Sequence, residues 1–311
     1  MPEKIVLPGG AGLVGQNLVV RMKARGFDDI VVIDKHPQNV AILRQLHPDI
    51  TVIEADVSTP GPWQDSFAGA AAVVMLQAQI GGLDETEFTA NNVQSTEIVL
   101  DLMHRYEIGQ LIHISSSVVN SVADDFYTRS KTLQEEMVVA SGFDATVLRP
   151  TLMFGWFDRK HLGWLSRFMA KVPVFPIPGH GRYMRQPLYV GDFCDIILSV
   201  LRNGGPAGIY DITGHERIDY IDLIREVRRA SQQKTPIMRI PFWLFKALLA
   251  GWAVFDKTPP FTTQQLDALV APDEFDVIDW PGIFDVQATP LADAMDETYR
   301  HRTYSNVVLE F

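Results

Sequence analysis

The sequence predicts an α/β protein: a doubly wound parallel sheet with helices on both faces, joined to a smaller, interleaved C-terminal region. Three observations carry this reading. Short β-branched runs alternate with amphipathic stretches through the first half, as βαβ units require. A glycine-rich turn, LPGGAGLVGQNL, stands between the first run and the first amphipathic stretch. From about Thr151 the texture shifts to proline and aromatic residues, as in KVPVFPIPGHGRYMRQPLYV.

In chain order, KIVL is the first strand and Leu13 to Arg25 the first helix; DIVVID, a short helix near Val40 to Leu46, TVIEADV and AAVVML follow. Runs this uniformly apolar fit parallel strands covered on both faces. A long helical pattern from about Asp84 to Tyr106 precedes LIHIS, and a helix over 126–141 precedes ATVLRP. Asp124 and Asp125 both offer that last helix an N-cap. Residues 1–150 therefore form the sheet domain and 151–311 mainly a second, less regular region, which the family resemblance given below implies binds substrate. GIYDIT at 208–213 has strand texture again, so segments near 185–213 are expected to cross back to the sheet.

The 311 residues carry 27 basic and 38 acidic side chains, a net charge of −11. With no Lys/Arg-rich run, nucleic acid is not an expected partner. Cys194 is the single cysteine, so no intrachain disulfide is available. The opening MPEKIVLPGG carries no secretory leader pattern, and the expectation is a cytoplasmic protein. The longest apolar run, PFWLFKALLAGWAVF at 241–255, is interrupted by Lys246 and is shorter than the roughly 20 residues that span a bilayer. A buried helix is the expectation there; a membrane-surface helix or the lining of an apolar pocket are the alternatives. The eight histidines show no HExxH or comparable spacing, so no metal site is expected.

Gly9, Gly12 and Gly15, with Leu13 and Val14 between them, follow the first strand and open the first helix. That placement suits a dinucleotide: glycines tighten the turn and let backbone N–H groups approach a pyrophosphate at the positive end of the helix. Asp34 ends the second strand, where a carboxylate accepts hydrogen bonds from the adenosine ribose and repels a 2′-phosphate. NAD is thus favoured over NADP, although Lys35 and His36 soften the choice. Asp56 and Val57, in EADV, are placed to meet the adenine edge, with a turn-forming aspartate as the plainer reading.

HISSSVV, residues 113–119, ends a strand at the edge where open α/β sheets bind ligands. Tyr127 and Lys131 lie one helical turn apart. A tyrosine with its usual pKa of about 10 is a poor base at neutral pH unless a nearby cation favours the phenolate. Alone, the pair is an ordinary helix contact worth about 0.2–0.5 kcal/mol. Beside the glycine loop and the serine strand it becomes a candidate proton-transfer unit.

Together the glycine loop, Asp34, the serine strand and YTRSK resemble the short-chain dehydrogenase/reductase superfamily, in its extended branch of NAD-dependent epimerases and dehydratases. The resemblance covers nearly the whole chain. It implies a Rossmann-like fold, NAD as cofactor, Tyr127 as general acid/base, and Lys131 as the residue that holds the nicotinamide ribose and lowers the tyrosine pKa. It implies Ser117 as the hydroxyl that bonds the reacting oxygen, with Ser116 as the alternative because the loop to Tyr127 is short for this branch. It also implies that Leu76, Gln77 and Ala78 lie over the cofactor and Pro150 beside the nicotinamide. By the same resemblance, Arg185 grips the diphosphate of a nucleotide sugar, with Arg182 and Tyr183 as secondary contacts, and the helices over 84–106 and 126–141 form a homodimer. Two residues depart from the family pattern, Pro8 before the glycines and Gln77 in place of a common alanine. No Asp-Glu pair follows the serines, which disfavours the sugar 4,6-dehydratase subtype.

The expected activity is therefore that of an NAD-dependent oxidoreductase or epimerase acting on a secondary alcohol, foremost of a nucleotide-diphosphate sugar. The apolar 241–255 segment keeps a lipid-like or steroid-like alcohol open. A non-catalytic NAD(H)-binding structural or regulatory subunit is the alternative of a different class, against which the presence of serine, tyrosine and lysine together argues.

Overall fold

The computed structural model describes residues 3–255 and 275–310. Six strands alternate with helices in the first half: β1 (Lys4–Pro8), β2 (Ile30–Asp34), β3 (Thr51–Glu54), β4 (Ala70–Met75), β5 (Gln110–Ile114) and β6 (Thr146–Pro150). Short pieces β7 (Met153–Phe154), β8 (Phe175–Pro178), β9 (Met184–Arg185) and β10 (Leu188–Tyr189) follow, then β11 (Gly208–Ile212), β12 (Ile218–Asp219) and β13 (Ile237–Ile240). The main sheet has seven strands in the order β11-β6-β5-β4-β1-β2-β3, all parallel. GIYDI, the strand texture near 208, thus joins this sheet beside β6.

Strand composition explains the arrangement. Val6, Leu7, Val32 and Ile33 are fully buried, because helices cover both faces and each apolar side chain withdrawn from water contributes about 1.5–3 kcal/mol. One face packs against α1 (Leu13–Ala24), α2 (Pro37–Leu46), α7 (Val190–Asn203) and α8 (Tyr220–Ala230), with α10 (Trp280–Phe284) and α11 (Leu291–Arg300) closing that layer. The other face packs against α4 (Ser95–Arg105) and α5 (Phe126–Ala140). A smaller cluster of Met169 at the end of α6 (Leu162–Met169), Phe175, Ile177, Tyr220, Ile221 and Ile224 forms the core of the second region.

Two elements differ from expectation. The helical pattern over 84–106 is not uniform: α3 (Glu85–Phe88) passes into a π-helical segment, Thr89–Gln94, before α4. The 241–255 run does form a helix, α9 (Phe242–Phe255), yet none of the side chains from Phe242 to Leu249 is buried. Trp243 is 70% exposed and Leu248 57%, which corrects the expectation of a buried helix. Apolar composition specifies burial only where another element is available to pack against, and local sequence does not say whether one is.

Candidate active site

The strand order reverses between β1 and β4, and ligands of open α/β sheets bind in the crevice outside the strand ends at such a point. Gly9, just past β1, donates its N–H to Ile33 O at 2.7 Å and has φ +74°; a Cβ there would lie 2.4 Å from the backbone of Gln77, just past β4. The two strand ends therefore meet through a glycine. A Cβ on Gly15 would lie 2.2 Å from Gly10 O, so α1 also needs glycine to start this close to the loop. At its N-cap, Gly12, α1 has no side-chain cap, and its first turn carries no acid. Its first N–H groups are thus left for an external acceptor, as an anion site requires.

Asp34 is oriented by the same loop: Oδ2 accepts from Ala11 N–H and Oδ1 from His36 N–H, each at 3.0 Å. Burial raises its pKa, while these two bonds favour the carboxylate. Asp56 forms the turn that the plainer reading expects. Oδ1 accepts from the Ser58 amide and hydroxyl, and Oδ2 pairs with Lys35 Nζ at 3.1 Å, so its carboxylate forms both a turn and an ion pair. Leu13 and Val14 pack into apolar clusters, and Val57 is buried.

Asp125 caps α5, accepting from Thr128 N–H at 2.7 Å, and so fixes the turn that presents Tyr127. Of the two serines weighed from sequence, it is Ser116 whose hydroxyl acts on the Tyr127 phenol, favouring the phenolate. Ser117 instead begins the tight turn Ser117–Asn120. The phenol pKa is raised, chiefly by burial and also by Asp125, while the Ser116 hydroxyl acts in the opposite direction. Lys131 is 1% exposed, and its ammonium donates to Ile114 O at 2.9 Å and to Gln134 Oε1. Burial lowers its pKa to about 7, against the charge of Glu135. The i,i+4 spacing predicts that Lys131 tunes the phenol; burial, Ser116 and Asp125 are the influences on it that stand out.

Sequence reasoning missed the scaffold behind this pair. Gln134 holds Lys131 through Oε1, and its Nε2 donates to Thr96 Oγ1 at 2.9 Å, tying α5 to α4. Asn92, in the π-helical segment, accepts from Gln79 N–H at 2.6 Å and donates to Ser130 Oγ at 2.9 Å. One usable signal was there: Gln134 lies three residues from Lys131, on the same helix face. Gln77 and His113 are buried, and among the described residues their side-chain nitrogens and Gln77 Oε1 have no hydrogen-bond partner. Burial and then Lys131 hold the His113 pKa well below its usual value, so its ring is neutral at pH 7.

Other expected contacts sit on the flanks. Leu76 N–H donates to Pro8 O at 2.9 Å, Ala78 is exposed, and Pro150 is buried at the end of β6. Arg185, on β9, is half-buried; it donates to Met184 O at 2.5 Å and its charge acts on Tyr220. Tyr183 donates its hydroxyl to Pro178 O at 3.0 Å, within its own loop, and Arg182 is exposed. Among the described residues no group of His, Cys, Asp and Glu could hold a metal ion, and no helix is long and apolar enough to cross a membrane.

A parallel doubly wound sheet with a glycine-lined crevice and a Ser, Tyr and Lys group at its rim defines a dinucleotide-dependent enzyme class. The sequence model of the NAD dependent epimerase/dehydratase family matches residues 5–213, and the chain belongs to that family of NAD-dependent oxidoreductases and isomerases. It is 24% identical over 263 residues to a dTDP-glucose 4,6-dehydratase of Streptomyces niveus, covering 73% of this chain and 77% of that one. It is 25% identical over 282 residues to a 3 beta-hydroxysteroid dehydrogenase/Delta 5-->4-isomerase of Mycobacterium tuberculosis, covering 80% and 75%. Among solved structures, the Bordetella bronchiseptica enzyme WbmG, in complex with NAD and UDP, superposes with a TM-score of 0.77 at 17% identity, covering 99% of this chain and 97% of that one.

Proposed function

We propose that this chain oxidises a secondary alcohol of a nucleotide-diphosphate sugar to a ketone, which in an epimerase is reduced again on its other face by the NADH formed and in a dehydrogenase leaves, with Ser116, Tyr127 and Lys131 as its chemical centre. The observation that carries this reading is the tie between Lys131, one turn after Tyr127, and the strand end that leads into Ser116: its ammonium donates to Ile114 O at 2.9 Å, and the Ser116 hydroxyl favours the Tyr127 phenolate. NAD+, when bound, supplies the hydride acceptor. The loop from Gly9 to Gly15 would hold its pyrophosphate and Asp34 its adenosine ribose, favouring NAD over NADP. Tyr127 receives the substrate's hydroxyl proton on its phenolate oxygen, and the Ser116 hydroxyl steadies the substrate oxygen as it becomes a carbonyl. Lys131, buried one turn beyond Tyr127, would hold the nicotinamide ribose.

Arg185 and its loop support the sugar reading, as does the likeness to an enzyme crystallised with UDP. No acid pair follows Ser116, where Ser117 and Val118 stand, so elimination of water is not part of the proposal. A second reading, a lipid-like or steroid-like alcohol, has its own support in the exposed apolar helix α9 and in the hydroxysteroid dehydrogenase relative. Thermal shifts of the NAD+-saturated protein separate the two: stabilisation by UDP or TDP is the expected result, and indifference to every nucleoside diphosphate contradicts the sugar reading.

A further inference from the structure

Arg149 lies at the end of β6 and forms a bidentate ion pair with Glu135 of α5: its Nε donates to Oε2 at 2.9 Å and its Nη2 to Oε1. Such forked pairs are directional as well as strong. Glu135 is 6% exposed and sits one turn beyond Lys131. Each partner also holds one end of the serine segment. Glu135 Oε2 accepts from Ser115 Oγ at 2.5 Å, immediately before Ser116. Arg149 Nη1 donates to Asn120 Oδ1 at 3.0 Å, at the close of the turn that follows. Asn120 Nδ2 in turn donates to Asp211 Oδ1 of β11 at 3.0 Å, and Ser115 N–H donates to Leu148 O at 2.8 Å.

We infer that Glu135, Arg149 and Asn120 form a clamp that positions Ser116 against the Tyr127 hydroxyl. The inference rests on the reading of Ser116 and Tyr127 given above. Helix α5 carries both Tyr127 and Glu135, so the clamp ties the serine segment to the same rigid element that presents the phenol. A guanidinium is needed because one group must meet a carboxylate with two N–H donors and an amide oxygen with a third; a lysine ammonium is a point charge without that fork. None of the three belongs to the proposed chemical centre. They act through Ser116.

The test uses protein labelled with [13Cζ]tyrosine and saturated with NAD+, with the Tyr127 signal assigned by its loss in Tyr127→Phe. Because the Ser116 hydroxyl favours the phenolate, Ser116→Ala should raise the Tyr127 titration midpoint by about half a pKa unit or more. Arg149→Lys and the surface change Asn120→Ala should raise it in the same direction. Arg149→Met would strip the buried Glu135 of its counter-charge and endanger the fold; Arg149→Lys keeps that charge and Asn120 is exposed, so melting temperature serves as the control. A purely structural role would lower the melting temperature and leave the midpoint where it is. Midpoints unchanged in Arg149→Lys and Asn120→Ala, with Ser116→Ala shifted, would overturn the clamp. An unshifted midpoint in Ser116→Ala would instead overturn the serine–phenol contact, and the clamp with it.

Discussion

Gly9 has φ +74°, and any side chain there would collide with the backbone of Gln77, so the crevice between β1 and β4 closes correctly only around glycine. Gly9→Ala should cost about 1–3 kcal/mol through backbone strain and collision and weaken NAD+ binding, read by chemical unfolding and by NADH fluorescence titration. Lys131 makes a prediction of a different kind. Its folded pKa of about 7 lies below the usual lysine value of about 10.4, so between those limits the unfolded chain binds more protons than the folded one and stability rises with pH. Lys131→Met removes this dependence. The stability of the variant relative to wild type should therefore be greatest near pH 7 and decline steadily toward pH 10; a difference independent of pH would contradict the buried, depressed ammonium. The residue types of this site were legible in the sequence, because glycines after a strand and a Tyr-x-x-x-Lys turn are local patterns. Which serine meets the phenol was not, since that depends on how the Ser117–Asn120 turn folds back.

At the scale of elements, alternation of apolar and amphipathic runs specified β1 to β6 and their helices, and GIYDI could be read as a strand despite lying far along the chain. The π-helical segment Thr89–Gln94 was not legible. It accompanies Asn92, whose side chain bonds Gln79 and Ser130, and such long-range polar ties leave no periodic trace. Helix α9 is the clearest divergence between composition and position. Its exposed Trp243 and Leu248 imply that Trp243→Ser or Leu248→Ser changes unfolding free energy by no more than about 0.5 kcal/mol. A loss of about 2–5 kcal/mol, as for a core residue, would place those side chains in a packed interior.

For the whole molecule, both faces of the sheet are covered and the chain returns through β11 and α7 to the layer that began with α1. The homodimer expected from the resemblance remains a proposal, supported by exposed Leu133 and Val139 on α5. If α5 forms the interface, Leu133→Glu with Val139→Lys should halve the mass measured by light scattering while leaving the circular dichroism unchanged. The central claim is that Tyr127 moves the proton of a nucleotide-sugar alcohol in an NAD-dependent reaction. Its most direct test compares wild type with Tyr127→Phe on UDP- and TDP-hexoses with NAD+, separating products by chromatography and measuring NAD+ affinity in parallel. The predicted result is a converted hexose with the wild type, and in Tyr127→Phe a turnover reduced by about 10²–10⁴-fold at nearly unchanged NAD+ affinity; turnover undiminished in Tyr127→Phe would contradict the claim.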